Sequence, residues 1–250
     1  MFVDSVENKG QKFSFSKYNT FMGCPKKYFW SYVRGLVPAE EAAYFVTGRQ
    51  FHGGVAGMEG ESLWHKIGRL AKQYFKPLPG ETPEVRKEVE IDPGVILECV
   101  ADSVADEYVV EYKTTSRPDA NTCNSLALSL QNRLYAIVFS KPRFLLRVVA
   151  KPKIRQKSTE NEQMFEQRIY ETVAADPQNH FLEIEIPVIK EGAIREFLAS
   201  LKHMRYCEER GVFPTSAPHA CYGFSPCPYM PLCVDEATNL PLFKAKERTE

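Results

Sequence analysis

The chain has 250 residues, 44% apolar and 26% charged, which supplies one large hydrophobic core. Its 32 Lys plus Arg balance 32 Asp plus Glu, which argues against a protein that simply coats nucleic acid but leaves room for a local basic groove. No apolar run approaches the roughly 20 residues that span a bilayer, and Met1 to Lys12 lacks the basic-then-apolar order of a signal peptide, so a cytoplasmic chain is expected. In a reducing compartment its 7 cysteines point to metal ligation or reactive thiols, and an odd number cannot all pair.

In chain order, residues 16–34 read as a helical region capped by Ser14 or Ser16 and interrupted at Cys24-Pro25. Pro25 suits the first turn of a second helix, which Gly35 ends. Residues 39–75 read as helical with a weak point at Gly53-Gly54, before a loop carrying Pro77, Pro79, Gly80 and Pro83. Strand-like runs follow at 84–91, 95–104 and 108–114. Then come a helix over 119–139, a buried strand over 143–151, an amphipathic helix over 159–175, a strand over 180–188 and a helix over 190–210. Residues 212–234 are rich in Pro, Cys and Gly without periodicity and need a staple; the tail from 235 is expected to fray. The order predicts an α/β fold, a mixed sheet between helices.

The segment Val100 to Thr114 carries the chemistry. If Asp106-Glu107 is a two-residue turn, Ala105 faces Tyr108 and Asp102 falls opposite Glu111, with Cβ atoms roughly 4.5–5.5 Å apart. Lys113 shares a strand face with Glu111. Two facing carboxylates destabilise a hairpin unless positive charge lies between them, and oxygen donors with room for water suit Mg²⁺ or Mn²⁺. The plain alternative is a solvent-facing hairpin edge. Downstream, Gln131 and Tyr135 are four apart and share a helix face.

The ordered set Ser14-x-Ser16, Cys24-Pro25-Lys26-Lys27-Tyr28, Gly48-x-x-x-His52, Glu88 or Glu90, Asp102, Glu111-x-Lys113 and Gln131-x-x-x-Tyr135 resembles the RecB-like branch of the PD-(D/E)XK nuclease superfamily. The resemblance runs from about residue 14 to 233. It implies a restriction-endonuclease-like core: a central mixed sheet flanked by helices, with the N-terminal helices and the C-terminal tail joined by a four-cysteine cluster. It implies a metal held by His52, Asp102, Glu111 and the Tyr112 carbonyl, with Asp102, Glu111, Lys113, Gln131 and Tyr135 catalytic. Ala101 stands where the superfamily name has proline, and Glu111 where Asp is more usual.

Cys221, Cys227 and Cys233 are separated by five residues each and make an incomplete tetrahedral set; Cys24 is the candidate fourth ligand. Zinc ribbons bring ligands as close Cys-x2–4-Cys pairs, and none exists here, whereas iron–sulfur clusters accept wider spacing. Relatives implied by the resemblance, AddB-type nuclease domains and CRISPR-associated RecB-like exonucleases, hold a [4Fe–4S] cluster through a distant first cysteine. Their usual Cys-x2-Cys-x5-Cys differs from the first interval here, so Zn²⁺ and unligated thiols stay open. Cys99, Cys123 and Cys207 read as core or incidental.

Residues 141–157 hold seven basic side chains, among them Arg147, and no acid; Lys151, Lys153, Arg155 and Lys157 are the candidate phosphate contacts. Aromatics near the N-terminus, Tyr18, Tyr28, Phe29, Trp30 and Tyr32, read mostly as core rather than as a stacking platform.

The expected organisation is a tail over 1–13, a nuclease domain over 14–234 and a tail over 235–250. Within the domain, 14–80 is helical, 81–190 the catalytic core and 191–234 a helix with the cysteine-rich staple. The expected activity is metal-dependent cleavage of DNA, exonucleolytic and directed at single strands or ends. The rival is a non-catalytic DNA-binding or partner-docking subunit on the same fold. A helicase, recombinase or integrase is the expected partner class, and a phage or mobile-element source fits the compact size.

Overall fold

The computed structural model describes residues 11–41, 43–115, 120–222 and 226–246. The elements begin with β1 (Gln11–Ser14), α1 (Phe15–Gly23), α2 (Pro25–Tyr28), a π-helical turn (Phe29–Val33) and β2 (Leu36–Pro38). Two longer helices, α3 (Ala43–Ala56) and α4 (Leu63–Tyr74), lead to β3 (Thr82–Asp92), β4 (Val95–Val104) and β5 (Tyr108–Thr115). Then follow α5 (Ala120–Ala127), α6 (Leu130–Val138), β6 (Arg143–Ala150), α7 (Glu162–Ala175), α8 (Pro177–His180) and β7 (Phe181–Ile186). The chain closes with α9 (Ala193–Arg210), α10 (Met230–Val234), α11 (Glu236–Asn239) and β8 (Phe243–Ala245). Contacts divide the described residues into two compact units. One is drawn from Met1–Glu41, Glu88–Glu98 and Ile194–Glu250, the other from Ala42–Lys87 and Cys99–Ala193.

The second unit holds the strand order β4-β5-β6-β7, with β4–β5 antiparallel, β5–β6 parallel and β6–β7 antiparallel. This is the mixed sheet expected from the element order. Residues 109–112 of β5 and 144–150 of β6 are buried, so both faces of these central strands are covered. On one face Phe51 of α3, Ile67 and Ala71 of α4 and Val173 of α7 pack with Val110, Tyr112, Leu145 and Val149. The helix α6 packs on β5 and β6.

Gly53-Gly54 does not break the first long helix; both lie inside α3. The break falls at Gly57, whose φ of +85° suits glycine, and Ser62 then caps α4 by accepting the His65 N–H. Gly54 is needed for packing: a Cβ there would stand 2.2 Å from the His65 carbonyl oxygen, and one on Gly68 would stand 2.3 Å from that of Phe51. The two glycines let α3 and α4 touch backbone to backbone. The helix expected over 119–139 is two helices, parted at Leu128–Ser129.

In the first unit, β1 runs parallel to the start of β4, from Gln11 opposite Val95 to Ser14 opposite Glu98. Ser14 is the N-cap of α1, and Pro25 opens α2. Tyr18 of α1 lies 4.9 Å from the Phe197 ring of α9, and Tyr28 donates to Glu208. The tail expected to fray forms α11 and β8 instead, and β8 pairs antiparallel with β2. A three-residue strand carries too little periodicity to be seen in sequence; the Phe243 ring stacked on Tyr229, at 5.6 Å, holds it. Trp30, Tyr229 and Leu232 form a small core here with Phe29, Leu36, Cys227 and Phe243. No helix among the described residues is long and apolar enough to cross a membrane.

Candidate active site

The hairpin between β4 and β5 sets the site. The Ala105 N–H donates to the Tyr108 carbonyl at 2.8 Å, and the ladder pairs Val104 with Val109 and Ser103 with Val110. The next step of that register puts Asp102 opposite Glu111, as the two-residue turn predicts. There the backbone ladder gives way to a side chain: the Tyr112 N–H donates to Asp102 Oδ2 at 2.7 Å. An antiparallel ladder would send that N–H to the facing strand's carbonyl. Asp102 replaces it and is fixed by the exchange.

The other Asp102 oxygen, Oδ1, lies 3.2 Å from His52 Nδ1 of α3. Burial works to lower the His52 pKa, but the Asp102 carboxylate beside it prevails and raises it, with a smaller push from Glu111. Glu111 is only 5% exposed. Its carboxyl is held above the ordinary range, first by burial and then by Asp102. Lys113 donates to Glu111 Oε1, and despite burial the two carboxylates hold its ammonium charged. Tyr112 lies between them in sequence and turns the opposite way, its phenol accepting from Arg147 at 2.7 Å.

Gln131 and Tyr135 pair along α6, the amide hydrogen bonding to the phenol. Burial pushes the Tyr135 phenol far above its ordinary pKa, so it stays protonated at neutral pH. Its oxygen also accepts from the Val100 N–H at 3.4 Å, two residues before Asp102. Tyr135 therefore ties α6 to β4 beside the carboxylates. The upstream glutamates have local partners: Glu88 pairs with Lys12 at 2.8 Å, and Glu90 accepts the Gly94 N–H at 2.9 Å.

The donor set fits a hard divalent cation. Asp102, Glu111 and His52 are two carboxylates and an imidazole on adjoining elements, and each carboxylate already recruits a cation-capable partner. Among the described residues, no group of three or more His, Cys, Asp or Glu side chains is placed to hold a metal ion, either here or at the cysteines. The protein's own groups, His52 and Lys113, offset the carboxylates.

The basic stretch is not one surface. Arg147 is 1% exposed. It donates to Glu81 Oε1 at 2.8 Å, Glu183 Oε1 at 2.9 Å, the Tyr112 phenol at 2.7 Å and the Lys76 carbonyl at 2.8 Å. Its place among the basic residues gave no sign of this, because the partners are scattered along the chain. Lys151 lies over the Trp64 ring, 4.9 Å from its centroid. Lys153, Arg155 and Lys157 are exposed, as a phosphate contact requires.

A cleft of about 270 Å³ opens beside the carboxylates, lined by His52 and Asp102 and also by Phe75, Pro83, Glu81 and Arg147. Sequence reasoning missed Glu81 and Arg147. The only signal for Glu81 is its position after Pro79-Gly80, which marks a turn.

The four candidate ligand cysteines, Cys24, Cys221, Cys227 and Cys233, belong to the other unit. Trp30 Nε1 donates to Cys233 Sγ at 3.4 Å. Burial pushes the Cys233 thiol up, and the nearby Cys24 and Cys227 sulfurs add to that. Burial would also raise Cys24, but backbone N–H groups of Ser216, Lys27 and Lys26 turn toward it and bring it down. The Cys227 N–H donates to the Cys221 carbonyl at 2.8 Å. Cys99 and Cys207 are buried in core, as read; the side chain of Cys123 lies outside the described residues.

No curated protein matches the sequence. The solved structure described as "Crystal structure of SSO0001" is 15% identical, with 81% of this chain and 79% of that one covered and a TM-score of 0.43. Residues 12–90, about a third of the chain, match the family model described as the PD-(D/E)XK nuclease superfamily.

Proposed function

We propose that this chain is a Mg²⁺- or Mn²⁺-dependent deoxyribonuclease of the RecB-like type, an exonuclease acting on single strands or DNA ends. The observation that carries the reading is the facing pair Asp102 and Glu111, each held by its own partner, with Lys113 on the Glu111 carboxylate. Asp102, Glu111, His52 and the Tyr112 carbonyl would hold the ion, which would supply Lewis acidity toward a phosphodiester and a bound water. Lys113 orients the attacking water and offsets charge growing on the phosphate oxygens. Gln131 and Tyr135 brace that arrangement from α6. Lys151, Lys153, Arg155 and Lys157 would contact the phosphate backbone.

Labelled single- and double-stranded DNA, incubated with Mg²⁺, Mn²⁺ or chelator, tests the activity. Metal-dependent shortening from an end is expected. Cleavage that survives chelation, or measurable DNA binding with no cleavage under any metal, would remove the assignment and favour a non-catalytic subunit.

Cys24, Cys221, Cys227 and Cys233 are proposed to hold a [4Fe–4S] cluster. The support is the N–H donation to sulfur at Cys24 and Cys233 and the mutual influence of Cys24, Cys227 and Cys233. Hydrogen bonds to the sulfurs are among the factors that set the potential of an iron–sulfur site. Anaerobic purification should give a brown protein with iron and sulfide; a colourless, iron-free one would defeat the cluster. A helicase, recombinase or integrase partner would be found by co-purification.

A further inference from the structure

We propose that the cleft beside His52 and Asp102 receives one unpaired nucleobase of the DNA strand, a reading that rests on the nuclease assignment above. At about 270 Å³ the cleft is just below the usual range of small-molecule pockets, room for a base with its sugar but not for a base pair. Val55, Phe75, Pro77 and Pro83 give it apolar walls, of the kind that hold the flat face of a base. Because His52 and Asp102 line the same cleft, its occupant lies next to the proposed metal site.

The charges decide between a base and a second phosphate. The cleft is lined by three carboxylates, Glu81, Glu84 and Asp102, and by three basic side chains, His52, Lys72 and Arg147, with His52 paired to Asp102. The Arg147 charge is already answered by Glu81 and Glu183. With His52 and Arg147 already paired, an anion entering here finds no net positive charge to hold it, whereas a neutral ring needs none. Glu81 accepts from Ser103 and Arg147 at Oε1 and from the Leu78 N–H at Oε2. A carboxylate offers about four acceptor positions, so one remains on Oε2. Every nucleobase carries an N–H or amino group able to use it, which predicts little preference among bases. At the lip, Glu84 adopts φ +48°, a left-handed conformation rare for a residue with a Cβ. Filling the cleft requires a base out of the stack, which selects single strands and frayed ends over intact duplex.

The test compares a short oligothymidylate with an abasic phosphodiester of the same length, binding measured by fluorescence anisotropy in chelator and cleavage measured with Mn²⁺. The wild-type chain should bind the abasic strand about tenfold more weakly. Ala56→Phe, which adds a ring to a residue lining the cleft, should bind both strands equally and raise KM on the thymidylate about tenfold with little change in kcat. Equal wild-type affinity for the two strands, or an Ala56→Phe variant that keeps the full difference, would overturn the base pocket. Base-dependent binding without any cleavage would overturn the nuclease reading and keep the pocket. Cleavage without base dependence would do the reverse.

Discussion

Replacing Arg147 with Met keeps most of the side-chain volume and removes the charge. Breaking one side of a buried ion pair costs about 3–5 kcal/mol, mainly because the other charge is left buried alone. Two structural details place this case near the lower end. Glu81, 11% exposed, keeps the Ser103 hydroxyl and the Leu78 N–H. Glu183 is 44% exposed and regains water. Loss of the bonds to the Tyr112 phenol and the Lys76 carbonyl adds roughly 1 kcal/mol each in isolation, though the terms overlap. A net loss of about 3–4 kcal/mol is expected, against a total of about 5–15 kcal/mol for a natural domain. Urea unfolding followed by tryptophan fluorescence reads it as a lower midpoint at unchanged slope. The double variant Arg147→Met with Glu81→Gln should recover roughly half, since no bare carboxylate remains on Glu81. A loss below about 1 kcal/mol, accompanied by weaker DNA binding, would refute the reasoning and return Arg147 to the phosphate-contacting surface.

Lys113→Ala should lower cleavage by about 100-fold or more while circular dichroism still shows a folded chain; the melting temperature should fall as well, since the Glu111 carboxylate, 7% exposed, loses its partner. Unaltered turnover would exclude Lys113 from the chemistry. Gly54→Ala and Gly68→Ala should each destabilise by about 1–3 kcal/mol, because the new Cβ meets a backbone carbonyl that cannot swing aside. Gly48→Ala, in the same helix with nothing within 4 Å, should stabilise by roughly 0.5–1 kcal/mol; a shift of the same sign in all three melting temperatures would contradict this packing. The Glu160 carboxyl is drawn down to about 2 by the Arg168 guanidinium and the Lys157 N–H. Its stabilising contribution is therefore complete above the ordinary value of 4.5 and fades as pH falls toward 2. Glu160→Gln should flatten the acid side of a melting-temperature profile; a profile parallel to wild type would show the pair to be idle.

What could be read in advance was local in sequence. The Asp106-Glu107 turn fixes the register of β4 and β5, and register alone sets Asp102 against Glu111. Gln131 and Tyr135 meet because four residues is about one helical turn. What escaped depended on distant partners. Arg147 sits in a run of basic residues, and only Glu81, 66 positions earlier, turns it into a core residue. Gly53-Gly54 looks like a helix breaker until Gly68 of α4 is seen against it. The pairing of β8 with β2 joins segments some two hundred residues apart through three residues each, too few for any pattern.

The facing carboxylates also explain why the β4–β5 ladder opens where it does. A pair of like charges on opposing strands is destabilising by itself. Asp102 is relieved by two donors, His52 and the Tyr112 N–H, and the second is available only because the ladder yields at that point. Glu111, nearly buried, has Lys113 from its own strand. The two carboxylates are thus offset by different hydrogen-bond partners. A hairpin selected for stability alone would close the ladder and place an apolar pair there, as it does two steps earlier with Val104 and Val109. The local loss of strand pairing is the cost of holding two negative charges face to face, an arrangement that strand pairing alone does not call for.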